Sequence, residues 1–470
     1  MPLANEVIRY IDIGSVNRNT KSIESPQELL GKDAPSRARK QVAVGDTLVS
    51  MTRPNLNAVA LVPNELDGQI ASTGFDVLRP VAGVDPRWIG YLVRTEAFVE
   101  AMSDLVQGAL YPAVRSKDVR AHVVPLAPQA EQTRIANQLD TLLTRVQACN
   151  DRFDAIPTLL KRFRQTVLDA ATTGQLTDDW RIDKLGQVIA EEVVAARLAV
   201  AGARPTKAAS EFFASHQSVT PQKGTLPGTW LLTHIGMVGV VSNGSTPSRQ
   251  EPSYWGCGIP WVSSGEVANG VIRHTREQIT DSGFNNSSVR LLPRGSVLMA
   301  MIGEGKTRGQ SAILDIDACI NQNIAGVVPV DGILASKYLW FWFRREYENT
   351  RTKGNGSGPK ALNCERVREL EINLPPLPEQ TEIVRRVEAL FALADRIEAR
   401  CTAARAQAQR LTPLVLAKAF RGELVPQDPN DEPASTLLAR IGLAKTSAAA
   451  KPEKNAPIAR KQAAQKGVTA

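Results

Sequence analysis

The feature that most restricts how this chain can fold is an internal duplication. Positions Glu131 to Leu176 reappear 248 residues later as Glu379 to Leu424, without a gap. Glu131-Gln132-Thr133 becomes Glu379-Gln380-Thr381, and Gly174 and Leu176 become Gly422 and Leu424. Apolar residues in the first copy fall at Ile135, Leu139, Leu142, Val146, Cys149, Phe153, Ile156, Leu160, Phe163 and Val167. In the second they fall at Ile383, Val387, Leu390, Ala394, Ile397, Cys401, Ala404, Ala408, Leu411 and Val415. Alternating steps of four and three give the coiled-coil period, so each segment is a long helix that needs a partner helix. The other copy is the natural partner, because Phe153 and Leu160 are large where Cys401, Ala404 and Ala408 are small. A helix over residues 131–173 is roughly 60 Å long. Pro157 is expected to kink it, or to restart it at Asp154 or Ala155.

The duplication extends upstream of the helices. Gly45-Asp46-Thr47-Leu48 answers Gly295-Ser296-Val297-Leu298, and Ala113-Val114 to Val119 answers Ala361-Leu362 to Val367. The repeated unit is therefore a globular domain followed by a helix. The expected fold class is α+β: two mixed α/β globular domains separated by two long antiparallel helices that form an intramolecular coiled coil. Within the globular parts the copies share pattern but little identity, which suits parallel jobs on different targets.

At 470 residues with 43% hydrophobic content, the chain has room for two or three ordinary soluble cores. No stretch reaches the length of a membrane span and no signal-peptide pattern opens the chain; two of the five cysteines, Cys149 and Cys401, fall at apolar helix positions, so a reduced cytoplasmic setting is expected. Cysteines 149, 257, 319, 364 and 401 have no metal-ligand spacing, and the four histidines are isolated from one another. Neither a metal site nor a hydrolytic triad is expected. Of the net charge of +8, residues 442–470 hold +5 in an Ala/Lys tail, expected to be a disordered extension that adds non-specific phosphate attraction.

Specific DNA contact has to rest on local clusters. In the first globular domain Arg37, Arg39 and Lys40 follow Lys32 in a Pro-containing loop, and Arg53, Asn55 and Asn57 follow the strand-like run Asp46 to Met51. Tyr111 and Arg115 are grouped with them as DNA-binding candidates. In the second domain the polar loop Asn243 to Arg249 offers Ser245, Thr246 and Arg249, and Lys306, Arg308 and Gln310 follow the apolar strand Val297 to Ile302. Asn321-Gln322-Asn323 carries carboxamides of the kind that pair with adenine edges. Lys353, Asn355 and Lys360 flank or occupy the Gly-rich stretch 354–358, where backbone amides can approach phosphates. For each residue the plain alternative is a solvated loop.

Gly305-Lys306-Thr307 imitates the end of a phosphate-binding loop, but the first glycine of that motif falls on Ala300, and Gly309 to Asp315 reads as a strand where a helix is required. No Gly-rich adenosylmethionine loop and no Asn-Pro-Pro-aromatic tetrapeptide is present. The chain reads as a recognition protein without chemistry of its own.

Leu374-Pro375-Pro376-Leu377-Pro378-Glu379-Gln380 and Ala127-Pro128-Gln129-Ala130-Glu131-Gln132 open the two helices. Ala171-Thr172-Thr173-Gly174-Gln175-Leu176 and Ala419-Phe420-Arg421-Gly422-Glu423-Leu424 close them. With Tyr10 to Ser15, Gly68 to Phe75 and Gly244 to Ser248, these sequences resemble the DNA specificity subunit of type I restriction-modification systems over about residues 1–428. The resemblance implies two target recognition domains, each reading one half of a bipartite asymmetric site in double-stranded DNA. Docking on one duplex face asks for a separation of roughly 34 Å. It also implies helices that set the spacer and dock two modification (methyltransferase) subunits, and an association with restriction (helicase-nuclease) subunits. The chain itself is then no enzyme and holds no cofactor, with S-adenosylmethionine and ATP on the partner subunits. The exposed helix residues Arg134, Gln138, Arg145, Arg152, Glu382, Arg386, Glu388 and Arg396 are candidate docking positions. The competing class is a coiled-coil scaffold with two protein-binding domains.

The expected division is recognition domain 1 over 1–126, spacer helix 1 over 127–178, a linker over 179–225, recognition domain 2 over 226–375, spacer helix 2 over 376–426 and the tail over 427–470. The first domain departs from the second in one respect. Thirty-one positions separate Trp230 from Trp261, whereas Tyr10, the counterpart of Trp261, comes nine positions after Met1. Either the first domain tolerates a short lead-in, or the chain start is displaced.

Overall fold

A computed structural model describes residues 2–106, 108, 110–183, 226–268, 270–303, 306–352 and 362–449, the side chains of 183 and 444–449 aside. The linker expected over 179–225 lies mostly outside these residues, as do Lys353, Asn355, Lys360 and the tail from 450 onward. The chain divides into two compact units, residues 1–154 with 402–470, and residues 155–401. Each unit holds one globular body and one half of each long helix.

In the second unit, Val297–Ala300 is an apolar run buried at every position, as a central strand covered on both faces must be. It pairs antiparallel with Ser311–Leu314 on one side and with Ile324–Pro329 on the other. Gly239–Asn243 and Val271–Ile272 complete a five-stranded sheet. A second sheet sets Trp255–Val262 between Glu277–Ile279, antiparallel, and Ala318–Ile320, parallel. The aromatic helix Ser336–Arg345 buries Tyr338, Phe341 and Phe343 against the first sheet. The lead-in strand Leu231–His234 pairs with Glu371–Leu374, the strand that delivers the chain to its long helix.

The first unit repeats this plan with fewer strands. Val7–Ile11 lies between Gln27–Leu30, antiparallel, and Ile70–Ser72, parallel, as Trp255–Val262 does in the second unit. Tyr10 pairs with Ile70 where Trp261 pairs with Cys319. Thr47–Ser50 is the central strand, flanked by Val59–Leu61 and Phe75–Leu78. Among the described residues, no strand corresponds to Leu231–His234 or to Gly239–Asn243.

The long helices run over Gln129–Thr173 and Leu377–Phe420, and they pack antiparallel within each unit. In the first unit Ile135 and Leu139 share a core with Leu416 and Ala419, while Asp154, further along, pairs with Arg405, earlier in its helix. In the second unit Arg164 reaches Asp395 and Glu398, and Val167 and Leu168 share a core with Val387 and Ile383. The apolar stripe is buried where a globular body or the facing helix covers it, at Ile135, Leu139, Leu160, Val167, Ile383, Val387, Ala394 and Ala408. Cys149 is exposed, and Phe163, Ile397 and Leu411 are between 37% and 45% exposed, so the seam is narrower than ten buried positions per helix.

Two local expectations need correction. The first helix does not restart at Asp154 or Ala155: it is continuous through Pro157, and the second helix is continuous through Pro413. A mid-helix proline costs about 3 kcal/mol, and in neither helix does it end the element. The extension beyond residue 426 is also partly built in. Asp431 accepts two hydrogen bonds from Arg134, at 3.1 and 2.6 Å, the helix Ala434–Ala449 follows, and Leu437 is buried.

Candidate nucleic-acid interface

In both units the end of the central strand lies beside part of the candidate set. Met51, just past Thr47–Ser50, accepts from the Val114 amide at 2.9 Å, and Met301, just past Val297–Ala300, accepts from the Leu362 amide at 3.1 Å. These equivalent bonds fix a loop after the strand beside the segment that leads toward the long helix.

In the first unit the Arg53 amide donates to the Pro112 carbonyl at 2.8 Å, and Thr52 bridges Ala113. Arg53, Asn55, Tyr111 and Arg115 are all exposed, and the two short segments that carry them lie together. Arg53 and Asn57 both adopt left-handed backbone, at φ 52° and 44°. Arg115 is held by Asp118, its Nε donating at 3.1 Å. Arg37 and Arg39 are exposed on a separate edge, with Arg39 Nε donating to the Ser36 carbonyl at 2.7 Å.

Two candidates in this unit have internal partners. Lys40 donates to the Phe75 carbonyl at 2.5 Å and sits 3.7 Å from Asp76. Asn57 donates to the Val93 carbonyl at 2.8 Å and accepts from Lys21 Nζ at 2.9 Å. Burial, with Arg94 and Arg18 nearby, lowers the Lys21 ammonium to about 8. Asp76 is fully buried, which works against its charge, yet hydrogen bonds from Arg120 and Ser116 and the charges of Arg120 and Lys40 hold its carboxyl below the usual range.

In the second unit the loop after Gly239–Asn243 is pinned against the strand Ala318–Ile320. The Ser245 amide donates to the Ile320 carbonyl at 3.0 Å, and Trp261 Nε1 donates to the Ser245 carbonyl at 3.0 Å. Gly244 has to be glycine, since a Cβ there would lie 1.7 Å from the Ile320 carbonyl oxygen. Thr246 Oγ1 donates to Gln322 Oε1 at 2.5 Å, which brings two separately predicted motifs into one cluster. Arg249 stacks on Trp255, 3.6 Å from the ring centroid, and its two terminal nitrogens meet Glu277 at 2.5 and 2.9 Å. Those hydrogen bonds lower the Glu277 carboxyl and raise the Arg249 guanidinium. The stack and the fork together fix an exposed cation in one orientation.

The tripeptide 321–323 divides its roles. Asn321 is buried and its Oδ1 accepts from the Asn323 amide at 3.1 Å, Gln322 is exposed, and the Asn323 carbonyl accepts from Met301 at 2.9 Å. Gln310 stands beside Ala300, whose amide donates to its carbonyl at 2.9 Å. Lys306 is exposed, while Arg308 donates to the Arg351 carbonyl at 2.9 Å, in the short helix Tyr347–Thr352. The strand Ser311–Leu314 follows this loop, where a phosphate-binding loop runs directly into a helix. Trp255 and Glu277 were not singled out in the sequence, although an arginine close to two tryptophans was a usable signal.

Among the described residues, no group of three or more histidine, cysteine or acidic side chains is placed to hold a metal ion. No described helix is long and apolar enough to cross a membrane.

Comparison with known proteins assigns this architecture to a class. Residues 227–403 match the family described as Type I restriction modification DNA specificity domain. Its curated relatives are specificity subunits of type I restriction enzymes, and the chain spans about 60% of the length of the first of them. It is 31% identical over 325 residues to the EcoBI specificity subunit of Escherichia coli, an alignment that covers 66% of this chain and 60% of that protein. The HsdS subunit from Thermoanaerobacter tengcongensis superposes with a TM-score of 0.59 at 24% identity, covering 90% of this chain and 92% of that one. A chain from a structure of complex assembly and conformational transition in the type I R-M system superposes at 0.61 and 25% identity, covering 90% of this chain and 93% of that one.

Proposed function

We propose that this chain is the DNA-reading subunit of a type I restriction-modification complex, in which each recognition domain reads one half of a bipartite site in double-stranded DNA. The observation that carries this reading is the repeated framework bond, Val114 to Met51 and Leu362 to Met301, which sets unlike polar loops on like supports. Arg53, Asn55, Tyr111 and Arg115 serve one half-site, and Ser245, Thr246, Arg249, Gln310 and Gln322 the other. Arg37, Arg39 and Lys306 add phosphate contacts, which fix position and carry no sequence information. Asn57, Asn321, Lys40 and Arg308 act indirectly, by shaping the loops that hold the readers.

The long helices set the spacing between half-sites and dock two modification subunits, and restriction subunits join that assembly. Methyl transfer with S-adenosylmethionine and ATP-driven translocation belong to those partners, and this chain performs no chemistry. Co-expression with the cognate modification partner, followed by genome-wide mapping of methylated adenines, tests the reading. The expected product is one split motif with a fixed gap. Methylation in one uninterrupted motif, or none that depends on this chain, contradicts it.

A further inference from the structure

The duplication lets the two units be compared side chain by side chain, and one shared cation has unlike surroundings in them. Residues 86–94 answer residues 336–344, and residues 140–147 answer residues 388–395. Lys337 bonds Glu388, and Arg87 bonds the equivalent Asp140, so body and helix are joined alike. In the second unit Arg344 lies over two rings, 5.1 Å from the Trp340 centroid and 4.9 Å from that of Phe391. Arg164, near enough to act on its charge, reaches Asp395 and Glu398.

The first unit has Gly90, Leu143 and Thr412 where the second has Trp340, Phe391 and Arg164. All three are smaller, and Arg94, the counterpart of Arg344, borders a cavity of about 480 Å³. Small-molecule sites occupy roughly 300–1,000 Å³. Lys21, Tyr91, Asp140, Leu143 and Thr412 line the same space. Its polar groups are unequally satisfied. Asp140 is already bonded by Arg87 and by the Tyr91 hydroxyl. The Arg94 side chain makes one long hydrogen bond among the described residues, from Nη2 to the Lys21 carbonyl at 3.4 Å, and its Nε is buried without a partner. Lys21 Nζ gives two of its three protons to Asn57, at 2.6 and 2.9 Å. Burial and the charges of Arg94 and Arg18 push that ammonium down, as they would in a pocket short of anions. The other acid of the lining, Asp151, is exposed and accepts from Gln147 at 2.8 Å.

We propose that this cavity binds a small organic phosphate, with Arg94 and Lys21 taking the phosphoryl group and Leu143 and Val146 packing against the rest of the ligand. A phosphate monoester carries about −1.5 to −2 charge at neutral pH, which matches two cations better than the single charge of a carboxylate does. The guanidinium fork of Arg94 can meet two phosphate oxygens at once. Asp151 and the hydroxyls of Thr144 and Thr412, which also line the cavity, suit a ligand that carries hydroxyl or amino groups besides its phosphate. In the second unit Phe391 and Arg164 take the corresponding positions, and the rings of Trp340 and Phe391 satisfy the arginine in place of an anion.

The test is calorimetric titration of the full chain with inorganic phosphate, ribose 5-phosphate and adenosine 5′-monophosphate, with ribose and adenosine as uncharged controls. One-to-one binding of at least one phosphate, with a Kd below about 1 mM, and none of the controls is expected. Arg94→Met should weaken it about tenfold or more, by removing the charged donor. Leu143→Phe, which copies Phe391, should weaken it as much by filling the cavity while leaving both cations in place. Circular dichroism melts matching the parent establish that the variants fold, and Leu143→Phe decides if Arg94→Met does not. Absence of saturable binding, or undiminished binding in either folded variant, overturns the proposal. Displacement of the bound probe by duplex DNA assigns the phosphate to a DNA backbone and also overturns it.

Discussion

Arg249 is the candidate reader whose packing is most fully defined, because its stack on Trp255 and its fork to Glu277 hold a charged group that faces solvent. Arg249→Ala is expected to weaken specific binding about tenfold or more, at one half-site only, since a good base contact is worth about 1–3 kcal/mol. Glu277→Gln should give part of that loss by loosening the side chain. Binding titrations against duplexes altered in one half-site or the other separate these outcomes; equal loss on every duplex would mark a phosphate contact instead. Asp76 makes a prediction about pH. Its folded carboxyl is held below the usual range, so its contribution is fully present above the unfolded value near about 4. It is lost as pH falls through the folded value. The parent should therefore lose stability on acidification below about pH 4 more steeply than Asp76→Asn, measured by urea unfolding across a pH series.

The long helices were legible in the sequence because a step of 3.5 residues, kept up through ten positions in each copy, is the spacing by which one helix packs along another. Their continuity through Pro157 and Pro413 was not legible, because local helix rules take no account of packing on both sides of the break. The candidate DNA-contacting loops were legible only as composition. Asn321 and Gln322 are adjacent and alike in sequence, yet one is buried and one exposed, because they lie in the tight turn between Ala318–Ile320 and Ile324–Pro329. The helix beyond residue 426 was masked by its Ala/Lys composition, although Leu437 and Asp431 anchor it. Leu139 has 0% exposure in the core shared with Leu416, so Leu139→Ala should cost about 2–5 kcal/mol in chemical denaturation. Leu437→Ala should release the C-terminal helix, seen as faster proteolysis after residue 426 with little change in the melting of the rest. Slower or unchanged cleavage would mean the anchor lies elsewhere.

For the molecule as a whole, the governing feature is duplication with divergence: one framework used twice, carrying unlike loops. The basic tail is peripheral to this, and deleting residues 442–470 should flatten the salt dependence of non-specific binding while leaving sequence preference intact. If the preference disappeared with the tail, specificity would have been assigned to the wrong part of the chain. The most direct test of the central claim exchanges residues 230–373 for the corresponding domain of another specificity subunit, with methylated adenines then mapped in cells that express the modification partner. Independent readers predict that one half of the split motif changes and the other half stays as it was. A change in both halves, or in neither, would contradict the account.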